Sequence, residues 1–222
     1  MITYALPSAT AVILLVGAWQ FGQGLYIHVK AELAQFLVQR AWERTIAGER
    51  QVRPWPWADT WPVARLAMTQ PGVDVFILAG SNGRTLAFGP GHWFGTPFPG
   101  ESGNSVIGGH RDTHFAFLRK VQKGAEASVQ RQDGEWRRYR VQSAQVLDKR
   151  DTWVMADDGP TRLTLITCYP FDALRAGGPQ RYVVTADATP DWPSPHSATQ
   201  VPVGKPAKPV YIESTRRPTT PQ

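Results

Sequence analysis

The chain has 222 residues, of which 42% are hydrophobic, so it can bury a real core and wholesale disorder is excluded. Its 20 Gly and 19 Pro exceed the usual share of about 12% of residues and favour a turn-rich, mostly β protein over a helical bundle. The net charge of +6 is dispersed along the chain, which excludes the basic footprint of a nucleic-acid-binding protein. The single cysteine, Cys168, excludes an internal disulfide and any metal site built on several cysteines.

The first segment of the chain is uncharged. Residues 1–29 contain no Asp, Glu, Lys or Arg, and residues 6–26 supply the roughly 20 residues that a membrane-spanning helix needs. We therefore predict an uncleaved single-pass anchor over residues 1–29. A cleaved signal peptide and a buried soluble helix remain as alternatives. The basic residues that follow the apolar run nominally oppose an outward-facing body, so the orientation stays open at this point.

The next segments connect this anchor to the body of the protein. Apolar residues over 30–48 recur near one face, which predicts a stalk helix that ends at Gly48. The run Arg53-Pro54-Trp55-Pro56-Trp57 then predicts an extended strap, because alternating prolines forbid a regular helix. Its tryptophans, together with Trp61, either pin the strap to the domain, which we favour, or lie among lipid headgroups.

The body, residues 49–186, has the pattern of short strands separated by turns. β-Branched and apolar runs bounded by Gly, Pro, Asn and Asp predict about eight strands, which favours a sandwich or a closed barrel. One short helical segment is predicted at residues 115–121. The predicted strands are 73–79, 86–88, 105–109, 127–130, 135–141, 145–147, 163–167 and 181–186. Residues 187–222 are rich in Pro and Thr and predict a flexible tail.

Three polar residues fall at predicted strand ends. Cys168 closes one strand just before Pro170, and His110 follows two glycines at the end of another. Arg181 opens the strand after the Cys168 loop and lies across from the cysteine if the two strands are antiparallel. A thiolate, a proton donor and a fixed cation are the parts that acyl transfer needs. A buried, inert cysteine is the alternative that these residues leave open.

At these residues the sequence resembles the sortases, a family of membrane-anchored cysteine transpeptidases. The segment Thr164-Leu165-Ile166-Thr167-Cys168 matches their TLxTC signature, and Gly109-His110-Arg111 matches their histidine segment. Arg181, on the following strand, matches their downstream arginine. The resemblance is nearest to the Gram-negative subgroup, class GN, and covers about residues 55–186.

The resemblance implies both a fold and a reaction. The fold is an all-β, eight-stranded closed barrel with short helices, preceded by the membrane helix and the stalk helix. The enzyme cleaves an LPxTG-like C-terminal sorting signal through a thioester on Cys168 and transfers the acyl group to an amine acceptor. His110 moves the proton and Arg181 steadies the oxyanion, with no metal and no cofactor. A cysteine peptidase of the same fold and a non-catalytic membrane-tethered binding module are the alternatives.

The resemblance also implies a location, the cytoplasmic (inner) membrane, with the catalytic domain facing the periplasm. An unpaired cysteine in that oxidising compartment is likelier to be used, which agrees with a reactive Cys168. The protein partner is then a sorting-signal substrate, the membrane is bound through the N-terminal helix, and no nucleic acid is involved.

Several neighbours of the three residues are candidates for supporting roles. Asp112 either orients His110 or caps the following helix, with capping favoured. Thr167 shapes the site through packing or a hydroxyl hydrogen bond. His114 and Arg175 are rivals of the preferred histidine and arginine. The remaining histidines, which we interpret as structural or exposed, are His28, His92 and His196.

Overall fold

The structure is a computed structural model that describes residues 5–157, 159–173, 175 and 177–189. Almost all of the predicted tail at residues 187–222 lies outside the described residues, since the description ends at Thr189. The body of the chain is one closed β-barrel. This confirms the all-β prediction and selects the barrel over the sandwich.

Eight strands form the barrel in the order β1-β2-β3-β4-β7-β8-β6-β5. Two neighbouring pairs, β2 with β3 and β4 with β7, run parallel, and every other pair is antiparallel. The strands are β1 (Pro62–Met68), β2 (Val73–Ala79), β3 (Gly91–His92), β4 (Asn104–Gly108), β5 (Glu126–Gln130), β6 (Trp136–Asp148), β7 (Arg162–Tyr169) and β8 (Gln180–Ala188).

The predicted strand number is met, but not with the predicted strands. The two predicted strands at 135–141 and 145–147 are one strand, β6, because a register irregularity between Val141 and Ser143 lets it continue. The sequence reasoning missed β1 and the two-residue β3. The strand predicted at residues 86–88 is wrong: helix α2 (Gly83–Leu86) ends at the first of these residues, and the Asn82 side chain caps its start by accepting from two backbone N–H groups.

Apolar side chains from all sides fill the barrel. The interior includes Leu66, Ile77, Ile107 and Leu163, all fully buried, because strand alternation turns every second residue inward. Tyr139 also lies inside, and burial raises the pKa of its phenol to about 12. Two 3-10 helices, Ala116–Lys120 and Thr152–Met155, lie between strands; the first confirms the predicted short helical segment.

One helix, α1 (Ala5–Ile46), precedes the barrel without a break at the predicted boundary between anchor and stalk. Its C-terminal part packs on the barrel through Val38 and Trp42, both buried, and the Trp42 Nε1–H donates to Gln130 Oε1 at 3.2 Å. The Gln35 side chain donates to the Phe88 carbonyl at 2.7 Å. Within the described part of the chain, no helix combines the length and apolarity that crossing a membrane requires.

The strap between α1 and β1 is held by some of its aromatic rings. Trp55 packs edge-on against Phe88 at 4.9 Å between ring centroids, and Trp61 packs against the barrel core. Trp57 is 82% exposed. Pinning to the domain is therefore confirmed for two of the three tryptophans.

Candidate functional site

Cys168 and Arg181 face each other across two antiparallel strands. The register of β7 and β8 pairs Cys168 directly with Arg181, as the sequence reasoning expected of an antiparallel pair. Leu163 and Leu165 of β7 belong to the core, so alternation places Cys168 on the outer face of the barrel. Its thiol is free and half-buried. The candidate site therefore lies on the outside of the barrel wall.

His110 reaches the same edge from the strand on the other side of β7. Strand β4 runs parallel to β7 with Gly108 opposite Ile166, and the Gly109 N–H continues the ladder by donating to the Ile166 carbonyl at 3.1 Å. Two more residues along each chain in the same register bring the exposed His110 to the level of Cys168. The structure thus gathers the three predicted residues at one end of three adjacent strands.

Thr167 ties the cysteine strand to the histidine segment. Its buried hydroxyl donates to the Gly109 carbonyl at 2.7 Å, one residue before His110. A side chain at position 109 would come within 2.7 Å of the Phe115 ring. Glycine is therefore needed there for the backbone to lie this close to the ring, and the Thr167 hydroxyl fixes the same peptide.

Arg181 is oriented by the loop that precedes it. Its Nη1 donates to the carbonyls of Gly178 and Gln180, both at 2.8 Å. Within the described residues, its Nε and Nη2 have no acceptor, so these N–H groups can bond a substrate oxygen. A half-buried guanidinium with unused donors suits a carbonyl or an oxyanion beside Cys168.

The sequence reasoning missed Arg111, which follows His110. Its side chain is only 5% exposed. Nη1 donates to the Pro170 carbonyl at 2.9 Å, and Nη2 donates to the carbonyls of Ala173 and Arg175 at 2.8 Å each. An arginine after a histidine gives no sequence signal of burial, because arginines usually lie at the surface.

Asp112 lies beside Arg111. Its Oδ1 accepts from Arg111 Nε at 3.3 Å, and its side chain is 67% exposed. The favoured capping role is wrong, because the N-cap residue of the helix Ala116–Lys120 is Phe115 and no side chain caps it.

The two rival residues have different environments from the preferred ones. Burial lowers the pKa of His114, and the charge of His110 adds to this shift, whereas a hydrogen bond with the Ala87 backbone opposes it. The Arg175 side chain is exposed, and its carbonyl is one of the three that Arg111 binds.

His92 is buried, with Nε2 bonded to the Pro97 carbonyl at 2.9 Å. His28 is exposed, whereas His196 lies outside the described residues.

A second loop, between β6 and β7, lies at the opposite end of β7 from Cys168, because Asn104 pairs with Arg162, the first residue of β7. The buried Asn104 amide donates to the carbonyls of Val154 and Ala156 at 2.9 and 3.0 Å, and its Oδ1 accepts from the Thr164 hydroxyl. The Asn104 N–H donates to Asp157 Oδ1 at 2.8 Å. The described residues contain no group of three or more His, Cys, Asp or Glu that could hold a metal ion.

The residues at this edge have the parts for nucleophilic acyl transfer. A thiol lies between an imidazole and a guanidinium, on a surface that solvent and a peptide can reach. The thiol supplies the nucleophile, the imidazole carries a proton, and the unused N–H groups can bind an oxyanion.

Comparison with known proteins gives the same indication. Residues 66–189, more than half of the chain, match the family described as Sortase domain. Sortase D of Bacillus subtilis (strain 168) is 32% identical over 120 residues, which cover 54% of this chain and 60% of that protein. The match therefore spans less than two thirds of that relative.

Solved structures share the fold. Sortase C-1 from Actinomyces oris is 32% identical, with a TM-score of 0.53 over 59% of this chain and 75% of that one. The Sortase D5 transpeptidase of Clostridium perfringens is 25% identical, with a TM-score of 0.53 over 68% of this chain and 88% of that one.

Proposed function

Because this chain belongs to the sortase family, we propose that it is a cysteine transpeptidase that uses Cys168, His110 and Arg181. One observation carries the proposal: the β7–β8 register pairs Cys168 with Arg181, while the parallel β4 strand brings His110 to the other side of the cysteine. An inert structural cysteine would need neither partner.

The proposed reaction has two halves. The Cys168 thiolate attacks the carbonyl carbon of the substrate's scissile peptide bond, and the free N–H groups of Arg181 stabilise the oxyanion. The C–N bond breaks as His110 gives its proton to the departing amine, which leaves a thioester. An incoming amine then attacks the thioester, loses its proton to His110 and releases the thiolate with a new amide bond.

The finer points of the proposal are supported by the sequence. The TLxTC and GHR segments support an LPxTG-like sorting signal as substrate and class GN as subgroup. The uncharged residues 1–29 support a membrane anchor, with the barrel on the periplasmic side of the inner membrane. Cell fractionation of a tagged full chain tests the location: recovery in the soluble fraction, or protection of the barrel from protease added to spheroplasts, would contradict it.

Hydrolysis is a second candidate function, because the exposed His110 leaves the thioester open to water. Water and an amine would then compete for the same thioester. The ratio of their products at a fixed amine concentration decides which of the two reactions dominates.

The direct test is intact mass spectrometry of the full chain in detergent, mixed with a library of LPxTG-like peptides. We expect a mass increment on the wild type that a primary amine removes, and none on Cys168→Ala. Loss of the mass increment at a rate that does not depend on the amine would favour the peptidase. A Cys168→Ala variant that leaves both peptide binding and the cellular phenotype intact would favour the binding module.

A further inference from the structure

The Arg111 guanidinium is a buried cation whose hydrogen bonds converge on one loop. It donates three bonds of 2.8–2.9 Å to the carbonyls of Pro170, Ala173 and Arg175, and a fourth, longer bond to Asp112. All three carbonyls belong to the loop between β7 and β8, which runs from Pro170 to Pro179. The side chain therefore fastens that loop to the segment that carries His110.

The arrangement depends on the shape of the guanidinium. Its five N–H groups lie in one plane and point in fixed directions, so three separated carbonyls and a carboxylate can be served at once. A lysine ammonium has three donors on a single atom and cannot span the same acceptors. Removing the fork would leave carbonyls of the loop without the partner that sets their position.

The loop matters because both of its ends lead into the site. Cys168 lies two residues before Pro170, and Arg181 directly follows Gln180. The Nη1 of Arg181 bonds the carbonyls of Gly178 and Gln180, so the course of the loop determines where that guanidinium points. Arg111 itself follows His110 directly. One side chain thus connects the backbone segments of all three proposed catalytic residues.

We propose that Arg111 is a positioning residue that holds the β7–β8 loop, and through it Arg181, in place relative to Cys168 and His110. The role rests on the proposed transpeptidase function. Arg111 touches no reacting atom in this role. Its contribution is the alignment of groups whose small displacement slows an acyl transfer.

The test compares Arg111→Lys with Arg162→Lys in the full chain. Arg162 is the matched control because it is also part-buried and ion-paired, through Nε to Asp187 Oδ1 at 2.8 Å, at the other end of β7. Hydrogen–deuterium exchange measures protection of residues 171–179. Peptide cleavage gives kcat and KM per folded molecule, with the folded fraction taken from the unfolding transition of each variant.

We expect Arg111→Lys to lose protection in the loop and to lower kcat by on the order of 10- to 100-fold. KM should change less, and Arg162→Lys should retain both values within about twofold. An unchanged loop, or a loosened loop with kcat within about twofold of the wild type, would overturn the proposal.

Two further outcomes are decisive. If Arg111→Lys does not fold, the neutral Arg111→Gln variant replaces it, and failure of both would make Arg111 a folding residue and refute the positioning role. A wild type that forms no thioester on Cys168 would refute the proposed function and with it any positioning for catalysis. The exchange measurement would still decide separately whether Arg111 holds the loop.

Discussion

Two loops lie at opposite ends of β7, and each is held by one buried polar side chain near an end of β4. Asn104, the first residue of β4, binds carbonyls of the β6–β7 loop, residues 149–161. Arg111, just beyond the last residue of β4, binds carbonyls of the β7–β8 loop, residues 170–179. Both loops are thus positioned by the same strand, through side chains that serve several backbone acceptors at once.

The two loops differ in what else supports them. The β6–β7 loop contains the 3-10 helix Thr152–Met155 and buries Val154. The uncharged amide of Asn104 is therefore enough to hold this loop against β4. No residue that the structure describes in the β7–β8 loop is buried; Phe171 is half-buried against Tyr182 at 5.2 Å. A loop with so little packing needs stronger attachment, and charge-assisted hydrogen bonds from a guanidinium supply it.

The largest effect should come from the end of the β7–β8 loop. Arg181→Lys removes the fixed fork beside Cys168, and we expect kcat for thioester formation to fall on the order of 10²- to 10³-fold. Single-turnover mass spectrometry measures it. Arg150→Lys, in the β6–β7 loop, is the control, because Arg150 is exposed and, in the described part of the chain, forms its ion pair with Asp148. Equal losses in the two variants would refute a special role for Arg181.

The next largest effect should come from Asn104, the uncharged side chain that holds the β6–β7 loop. Asn104→Ala leaves the Val154 and Ala156 carbonyls and the Thr164 hydroxyl without their partner, and should lower the free energy of unfolding by about 1–3 kcal/mol. Urea denaturation measures the change. Gln142→Ala, which truncates an exposed amide, should stay within about 0.5 kcal/mol of the wild type. A loss no larger than that of the control would show that packing alone holds the loop.

Thr167 links the strand between the two loops to the histidine segment. Thr167→Val keeps the shape but removes the donor to the Gly109 carbonyl, and should lower stability by about 1 kcal/mol and kcat several-fold. Thr185→Val is the control, since it loses a 2.8 Å bond to Ser143 away from His110. We expect the two variants to lose similar stability, but only Thr167→Val to lose activity. If both variants were equally active, the Thr167 bond would have no part in placing His110.

The smallest expected effect is a dependence of stability on pH, which arises from His92 and not from either loop. Burial lowers the pKa of His92, although bonds to Pro97 and Thr96 and the charge of Glu101 oppose the shift. The unfolded chain therefore binds a proton more readily, so stability is complete above the ordinary pKa of about 6.5 and is lost as the pH falls toward the lowered pKa. The unfolding temperature should fall between pH 7.5 and pH 5, with a shallower slope in His92→Gln. An unchanged slope would assign the dependence to other groups.

The sequence was sufficient for the residues at strand ends. Local signals placed Cys168 at the end of one strand and Arg181 at the start of the next, facing each other if the strands are antiparallel, and the structure has that register. The clamp by Arg111 could not be predicted, because its acceptors are backbone carbonyls of a distant loop and carry no residue signature. Strand β3 was missed for a related reason: two residues give no periodicity.

The strand predicted at residues 86–88 shows the opposite failure. An apolar triplet favoured a strand, but the cap by Asn82 made a helical turn of the preceding residues. Local hydrogen bonding from a single side chain outweighed a weak apolar pattern.

The parallel pairing of β4 with β7 has a consequence for when the site comes into existence. Parallel neighbours need a long crossover, and here the chain forms β5 and β6 on the way from His110 to Cys168. Such non-local pairing forms late, after the entropy of a long closure has been overcome. Arg181 reaches the thiol through the local β7–β8 pair, whereas His110 reaches it only once β4 has paired with β7. Under the proposed function, the site of a newly made chain is therefore completed only when the barrel closes.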